Sequence, residues 1–233
     1  MTDRLTPTGQ ALTPPRAAAA AGLLFSLLMI ISLGIVRIAV PDRLAEQDTV
    51  SPGFRNAVAL AVNLVPFAGV AFLWFLGVLR NQIGRAEDQF FATVFLGSGL
   101  LFVASLFASA AVAEAFLRSI EPPSNPQVSR EAYSFAREMV YAFLNIFGIK
   151  MAGVFIFSTS MIALRTAILP RWIAFSGFVC GLVLLLIISN WLWIVMLFPL
   201  WTILVSAYIL AVGGLPGLRP GGGGGGRHDQ VAR

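Results

Sequence analysis

Histidine, cysteine and lysine occur once each in 233 residues, as His228, Cys180 and Lys150. The apolar part of the chain therefore cannot assemble the ligand sets of haem, copper, zinc or a carboxylate-histidine di-iron centre, nor a serine-histidine pair. No cofactor and no enzymatic activity is expected. His228 lies in a glycine-rich tail and reads as a solvated side chain. A single cysteine excludes an intrachain disulfide and leaves the redox compartment open. Charge is scarce too: charged residues are 12% of the chain and hydrophobic ones 58%, against about 25% and roughly 45 to 50% in soluble domains. The formal charge of +5 sits mainly on arginines in tails and between apolar blocks, where membrane topology accounts for it and a nucleic-acid partner is not needed.

What is present is long and apolar. Six blocks, 17–40, 57–79, 90–117, 139–164, 173–188 and 191–212, predict an all-α polytopic membrane helix bundle with six transmembrane helices. A tail, 1–16, holds Pro7, Pro14 and Pro15, and a flexible tail, 213–233, holds the glycine run 221–226. The first block exceeds the roughly 7 to 15 residues of a signal-peptide core and reads as a retained span. In the second, Pro66 follows Asn63 by three residues and predicts a kink. In the third, Ser98, Ser105, Ser109 and Ala113 share one face, the small-residue stripe on which membrane helices approach. After the proline-rich connection 121–127, Ser129 can cap a helix that begins in water and runs straight into the fourth span. Gly177 and Gly181 have the spacing of a close helix crossing. Pro66 and Pro199 fall in non-equivalent spans, so no inverted repeat is read.

An even number of spans puts both ends on one side. With the termini cytoplasmic, that face carries nine arginines (Arg4, Arg16, Arg80, Arg85, Arg165, Arg171, Arg219, Arg227 and Arg233) and the opposite face six (Arg37, Arg43, Arg55, Arg118, Arg130 and Arg137). The excess runs in the direction expected of a cytoplasmic face.

Lys150 is the one ionisable acid or base between 139 and 164, at a depth where a cation costs roughly 2.5 to 3.5 kcal/mol on insertion scales. Three fates are open to it. Glu114 leans toward it from the third helix across a backbone depth of about 15 Å; it can snorkel to a wet vestibule; or it can bond to polar groups on other helices, Asn63 foremost. On a regular helix Glu138, Tyr141, Asn145, Gly148, Ala152 and Thr159 line one side, with Lys150 roughly opposite among Phe143, Ile146, Phe147 and Phe157. So many polar positions predict a central helix, and a candidate intramembrane polar site of Lys150, Glu114, Asn145, Asn63 and Tyr141. Arg80, Arg85, Glu87 and Asp88 form a candidate interfacial cluster, able to grip a lipid phosphate or to pair internally.

Leu169, Pro170, Arg171 and Trp172 before the glycine-spaced fifth block, together with 80–91 and the arginine-rich, lysine-poor composition, resemble the uncharacterised small multi-pass inner-membrane proteins of bacteria. The resemblance implies a bacterial inner membrane and carries no activity over. Two functions are expected of such a chain. One is a non-enzymatic membrane component working through helix contacts with the lipid bilayer, other membrane proteins or a second copy of itself. The other is a small-solute or proton-coupled carrier with a path past Lys150, Glu114 and Asn145.

Overall fold

A computed structural model describes residues 14–39, 52–83, 89–120, 130–166, 169–186 and 192–212. All its regular elements are helical: α1 (Pro14–Ala39), α2 (Pro52–Ile83), α3 (Gln89–Ser119), α4 (Arg130–Tyr141), a π-helical segment (Ala142–Gly148), α5 (Ile149–Thr166), α6 (Arg171–Leu186) and α7 (Leu192–Ala211). Among the described residues five helical runs are long and apolar enough to cross a membrane, α4 to α5 counting as one run of 37 residues. The sixth, α6, has 16 residues and spans about 24 Å, short of a hydrocarbon core of about 30 Å. α1 starts at Pro14, three residues before the predicted block, because proline suits the first turn of a helix, where its missing N–H has no acceptor to lose. α2 continues through Pro66 as one helix. Residues 14–16 of the predicted N-terminal tail belong to α1, while residues 1–13, the C-terminal tail 213–233, the capping Ser129 and the cluster residues Arg85, Glu87 and Asp88 lie outside the described residues.

Each helix packs on the next, α1 on α2, α2 on α3, α3 on α5, α5 on α6 and α6 on α7, and α7 returns to α1. The helices close into a ring, in which α5 packs on α3, α6 and α7 and has a larger share of its length buried than any other helix, only Phe157 and Arg165 being exposed. The centre is filled by side chains. Phe25, Phe72, Phe102, Phe155 and Phe198, from five helices, meet there almost fully buried. Phe72 lies 4.9 Å from Phe25, 5.3 Å from Phe102, 5.2 Å from Phe155 and 5.7 Å from Phe198 between ring centroids, and Phe102 lies 4.7 Å from Phe198. The pairs are tilted or edge-on, the favoured aromatic geometries.

Outward, the ring is apolar as well. Leu24, Leu27, Leu60, Phe67, Trp74, Leu100, Leu101, Phe175, Val179 and Leu182 are all exposed, far more apolar surface than a water-soluble monomer carries. The chain has the surface of a membrane-embedded protein. Of the predicted small-residue stripe of α3, Ser98 and Ser109 are buried and Ser105 faces Gly148 of the π-helical segment, while Ala113 does not pack closely and lines a cleft.

Candidate functional site

The ring has two ends: the first is where α1 begins, the second where α1 ends. At the second end α1, α2, α3 and α4 diverge around a half-open cleft of about 140 Å³. Its walls are mostly Leu, Val, Ala and Phe, among them Leu33, Val58, Val65, Leu106, Ala110 and Phe116. Polar groups come almost entirely from one side, as Tyr133, Arg137, Tyr141 and Asn145 of α4 and the π-helical segment. Ser32 and Ser109 also line it, but their hydroxyls donate to the carbonyls of Ala61 at 3.0 Å and Leu106 at 2.9 Å.

The π-helical segment explains why these groups converge. Its backbone bonds span one residue more than those of an α-helix, so the faces before and after it fall out of register. The polar stripe read on a regular helix therefore breaks up. Glu138 is exposed, Tyr141 and Asn145 turn into the cleft, and Ala152 faces a smaller void below it. The Arg137 guanidinium lies 4.8 Å over the ring of Tyr141 and reaches Oε1 of Glu138 at 3.5 Å. The Asn145 amide and the Tyr141 hydroxyl, both half-buried, make no hydrogen bond among the described residues.

The cleft is blind. Met29 and Leu144 form its floor and the roof of a void of about 10 Å³, walled further by Phe102, Ile149, Leu184, Val195 and Phe198. That is about the room for one water, without the polar side chains that would hold it. Immediately beneath lies the phenylalanine cluster, to which Phe102 and Phe198 belong.

Lys150 is elsewhere, on the face of α5 that meets α6. Its Nζ donates to the carbonyl of Leu185 at 2.7 Å and of Leu184 at 3.1 Å. Both belong to the last described turn of α6, whose carbonyls have no intrahelical donor among the described residues, and the cation also meets the negative end of the helix dipole. Of the partners foreseen for Lys150, another helix is the one found, through its backbone and not through Asn63. The Asn63 amide faces outward from α2 and donates to Ala59 in its own helix at 2.9 Å. Glu114 accepts from Nε of Arg118, four residues on, at 2.9 Å. Arg80 is exposed near the end of α2.

The predicted polar site is thus divided: Tyr141 and Asn145 share the cleft, while Lys150, Glu114 and Asn63 lie apart from it. Sequence reasoning counted Arg137 only as a topological charge and passed over Tyr133; their four-residue spacing with Tyr141, on the face of α4 that also carries Ala136 and Val140, was the available signal. Because the Glu114 pair is partly exposed, Glu114→Gln should change stability by no more than about 0.5 kcal/mol, measured by thermal melting in detergent. A large loss would restore Glu114 as a partner of the buried lysine.

Compared with protein-family models, curated proteins and solved structures, the chain matches none.

Proposed function

We propose that this protein is a six-span component of a bacterial inner membrane, with both termini cytoplasmic, that works without catalysis by holding a membrane lipid in the cleft at the second end. The observation that carries this is an apolar cavity polar on one flank and closed beneath by packed phenylalanines, a shape suited to receiving an apolar chain and unsuited to passing a solute. The described arginines fit the orientation: Arg16, Arg80, Arg165 and Arg171 lie at the first end, and Arg165 sits 4.5 Å over the ring of Phe91 there. The carrier reading has less behind it, since Lys150 is engaged by α6 and neither it nor Glu114 lines the space that Asn145 lines.

Two measurements test the proposal. In a Cys180→Ser background, cysteines at Glu46 and Gln127 should react with a membrane-impermeant maleimide added outside cells, while one at Arg227 should not; labelling at Arg227 in intact cells overturns the orientation. In liposomes the parent should show no solute-driven proton movement and should keep bound lipid through delipidating detergent washes. Solute-coupled proton flux abolished by Lys150→Met would replace the proposal with the carrier reading.

A further inference from the structure

The outward side of α2 carries a group that lipid cannot satisfy. Arg55 and Arg80 stand near the two ends of this helix, about 37 Å apart at 1.5 Å per residue, so a core of about 30 Å centred between them leaves Asn63 roughly 8 Å inside the hydrocarbon. The Asn63 side chain is exposed there. A carboxamide offers two N–H donors and an oxygen acceptor. One donor is used, on the carbonyl of Ala59 at 2.9 Å, and the other donor and the oxygen meet no partner among the described residues. Pro66, three residues on, is exposed too and has no N–H to give the carbonyl of Val62. Polar groups left unpaired at that depth are unfavourable, and amides in membrane spans bond across helices. Since α1 and α3 pack on other sides of α2, the partner that satisfies Asn63 comes from outside the ring.

The residues around Asn63 form a seam. Leu60, Asn63, Phe67, Val70, Trp74 and Gly77 are all exposed and follow one another at three and four residues alternately, the 3.5-residue period at which two helices stay in contact along their length. A Cβ added at Gly77 would meet nothing within 4 Å, so the seam has a hollow beside the projecting indole of Trp74. A hollow next to a knob, and an amide with one donor and one acceptor to spare, are features that complement themselves. Copies of one chain enter the bilayer in one orientation, so a two-fold axis relating two of them runs along the membrane normal and sets each seam residue at the depth of its own counterpart. Across that axis each Asn63 amide can give its spare N–H to the oxygen of the other and receive the same bond back, while Trp74 of each copy lies over Gly77 of the other. An acyl chain offers the amide neither bond. We infer that α2 is the face on which two copies of this chain pair, in parallel, through reciprocal hydrogen bonds between their Asn63 side chains. The α2 walls of the cleft, Val58, Ala61, Val62 and Val65, lie on another side of the helix, so pairing leaves each copy its own cleft.

The test uses the full chain in liposomes, in a Cys180→Ser background. Val70→Cys, one heptad from Asn63 on the same seam, should form a disulfide between copies when copper phenanthroline is added, whereas Val179→Cys on the exposed face of α6 should not. Asn63→Ala should weaken association about 3- to 30-fold, read as energy transfer between copies labelled in the C-terminal tail while the protein-to-lipid ratio falls. Asn63→Gln, which keeps an amide, should weaken it less. Gly77→Leu should weaken it too. Its added side chain enters open space in a single copy, so its melting temperature in detergent should match the parent's, which separates lost pairing from lost folding. An absence of energy transfer between parent copies at every ratio overturns the inference, and so does a dimer that Asn63→Ala and Gly77→Leu leave unchanged. Val70→Cys joined in native membranes to a different polypeptide, and never to its own copy, overturns the choice of partner.

Discussion

Lys150→Met should have two effects of opposite sign. In a translocon insertion assay the run containing α5 should insert more readily, by less than the roughly 2.5 to 3.5 kcal/mol of a cation at the helix centre, because Lys150 lies about 22 Å along the helix from Arg165 and so nearer one edge of the core. The folded bundle, measured against its inserted but unpacked helices, should lose about 2 to 5 kcal/mol. The reason lies in the last described turn of α6, which holds Leu184 and Leu185. Its last carbonyls face a depth where water is scarce, and each left without a donor costs about 1 to 3 kcal/mol. Lys150 supplies the donors to Leu184 and Leu185. Two groups that are separately unfavourable in lipid, a cation and the open end of a helix, thus satisfy each other. Lys150→Arg should keep most of the stability, since it keeps charge and donors. If methionine improves insertion and leaves folding unchanged, the lysine is not what closes the end of α6.

How much of this was legible beforehand follows from what membrane helices encode. The apolar blocks gave the helices to within a few residues, because length and hydropathy are properties of a segment alone. The stripe of Ser98, Ser105 and Ser109 and the spacing of Gly177 and Gly181 were also legible, since a helix interface in lipid selects small residues. The phenylalanine cluster was not. A phenylalanine facing lipid, such as Phe67, and one at the centre of the ring, such as Phe72, are alike in one sequence because both surroundings are apolar. The π-helical segment was hidden for a different reason: its seven residues, Ala142–Gly148, carry no proline and read as ordinary helix formers in lipid. Missing it left the stripe from Glu138 to Thr159 straight on paper, whereas Glu138 is exposed and Tyr141 and Asn145 turn into the cleft. The partner of Lys150 was a pair of carbonyls, which no side-chain inventory contains.

The carbonyls come within its reach only because α5 and α6 touch along their backbones, and a substitution at that contact should have the larger structural effect. A Cβ added at Gly181 would lie 3.0 Å from the carbonyl oxygen of Gly153 and 3.3 Å from the amide nitrogen of Phe157. One added at Gly153 would lie 3.1 Å from the carbonyl oxygen of Gly181. These neighbours are main chain and cannot rotate away, so even Gly181→Ala must separate the two helices by a few tenths of an ångström, at about 1 to 3 kcal/mol. Gly181→Leu should detach α6 at this crossing. The same antiparallel register sets Lys150, three residues before Gly153, against Leu184, three after Gly181, so separating the helices also lengthens the lysine's bonds. Gly181→Ala and Lys150→Met should therefore be less than additive in a double-mutant cycle, by 0.5 kcal/mol or more, as expected of sites sharing one contact. Gly97→Ala is the control. An added Cβ there meets nothing within 4 Å, and alanine is the better helix former, so its melting temperature should stay or rise. Strict additivity between 181 and 150, with both variants folded, would mean that the glycine crossing and the lysine's grip on α6 are separate devices.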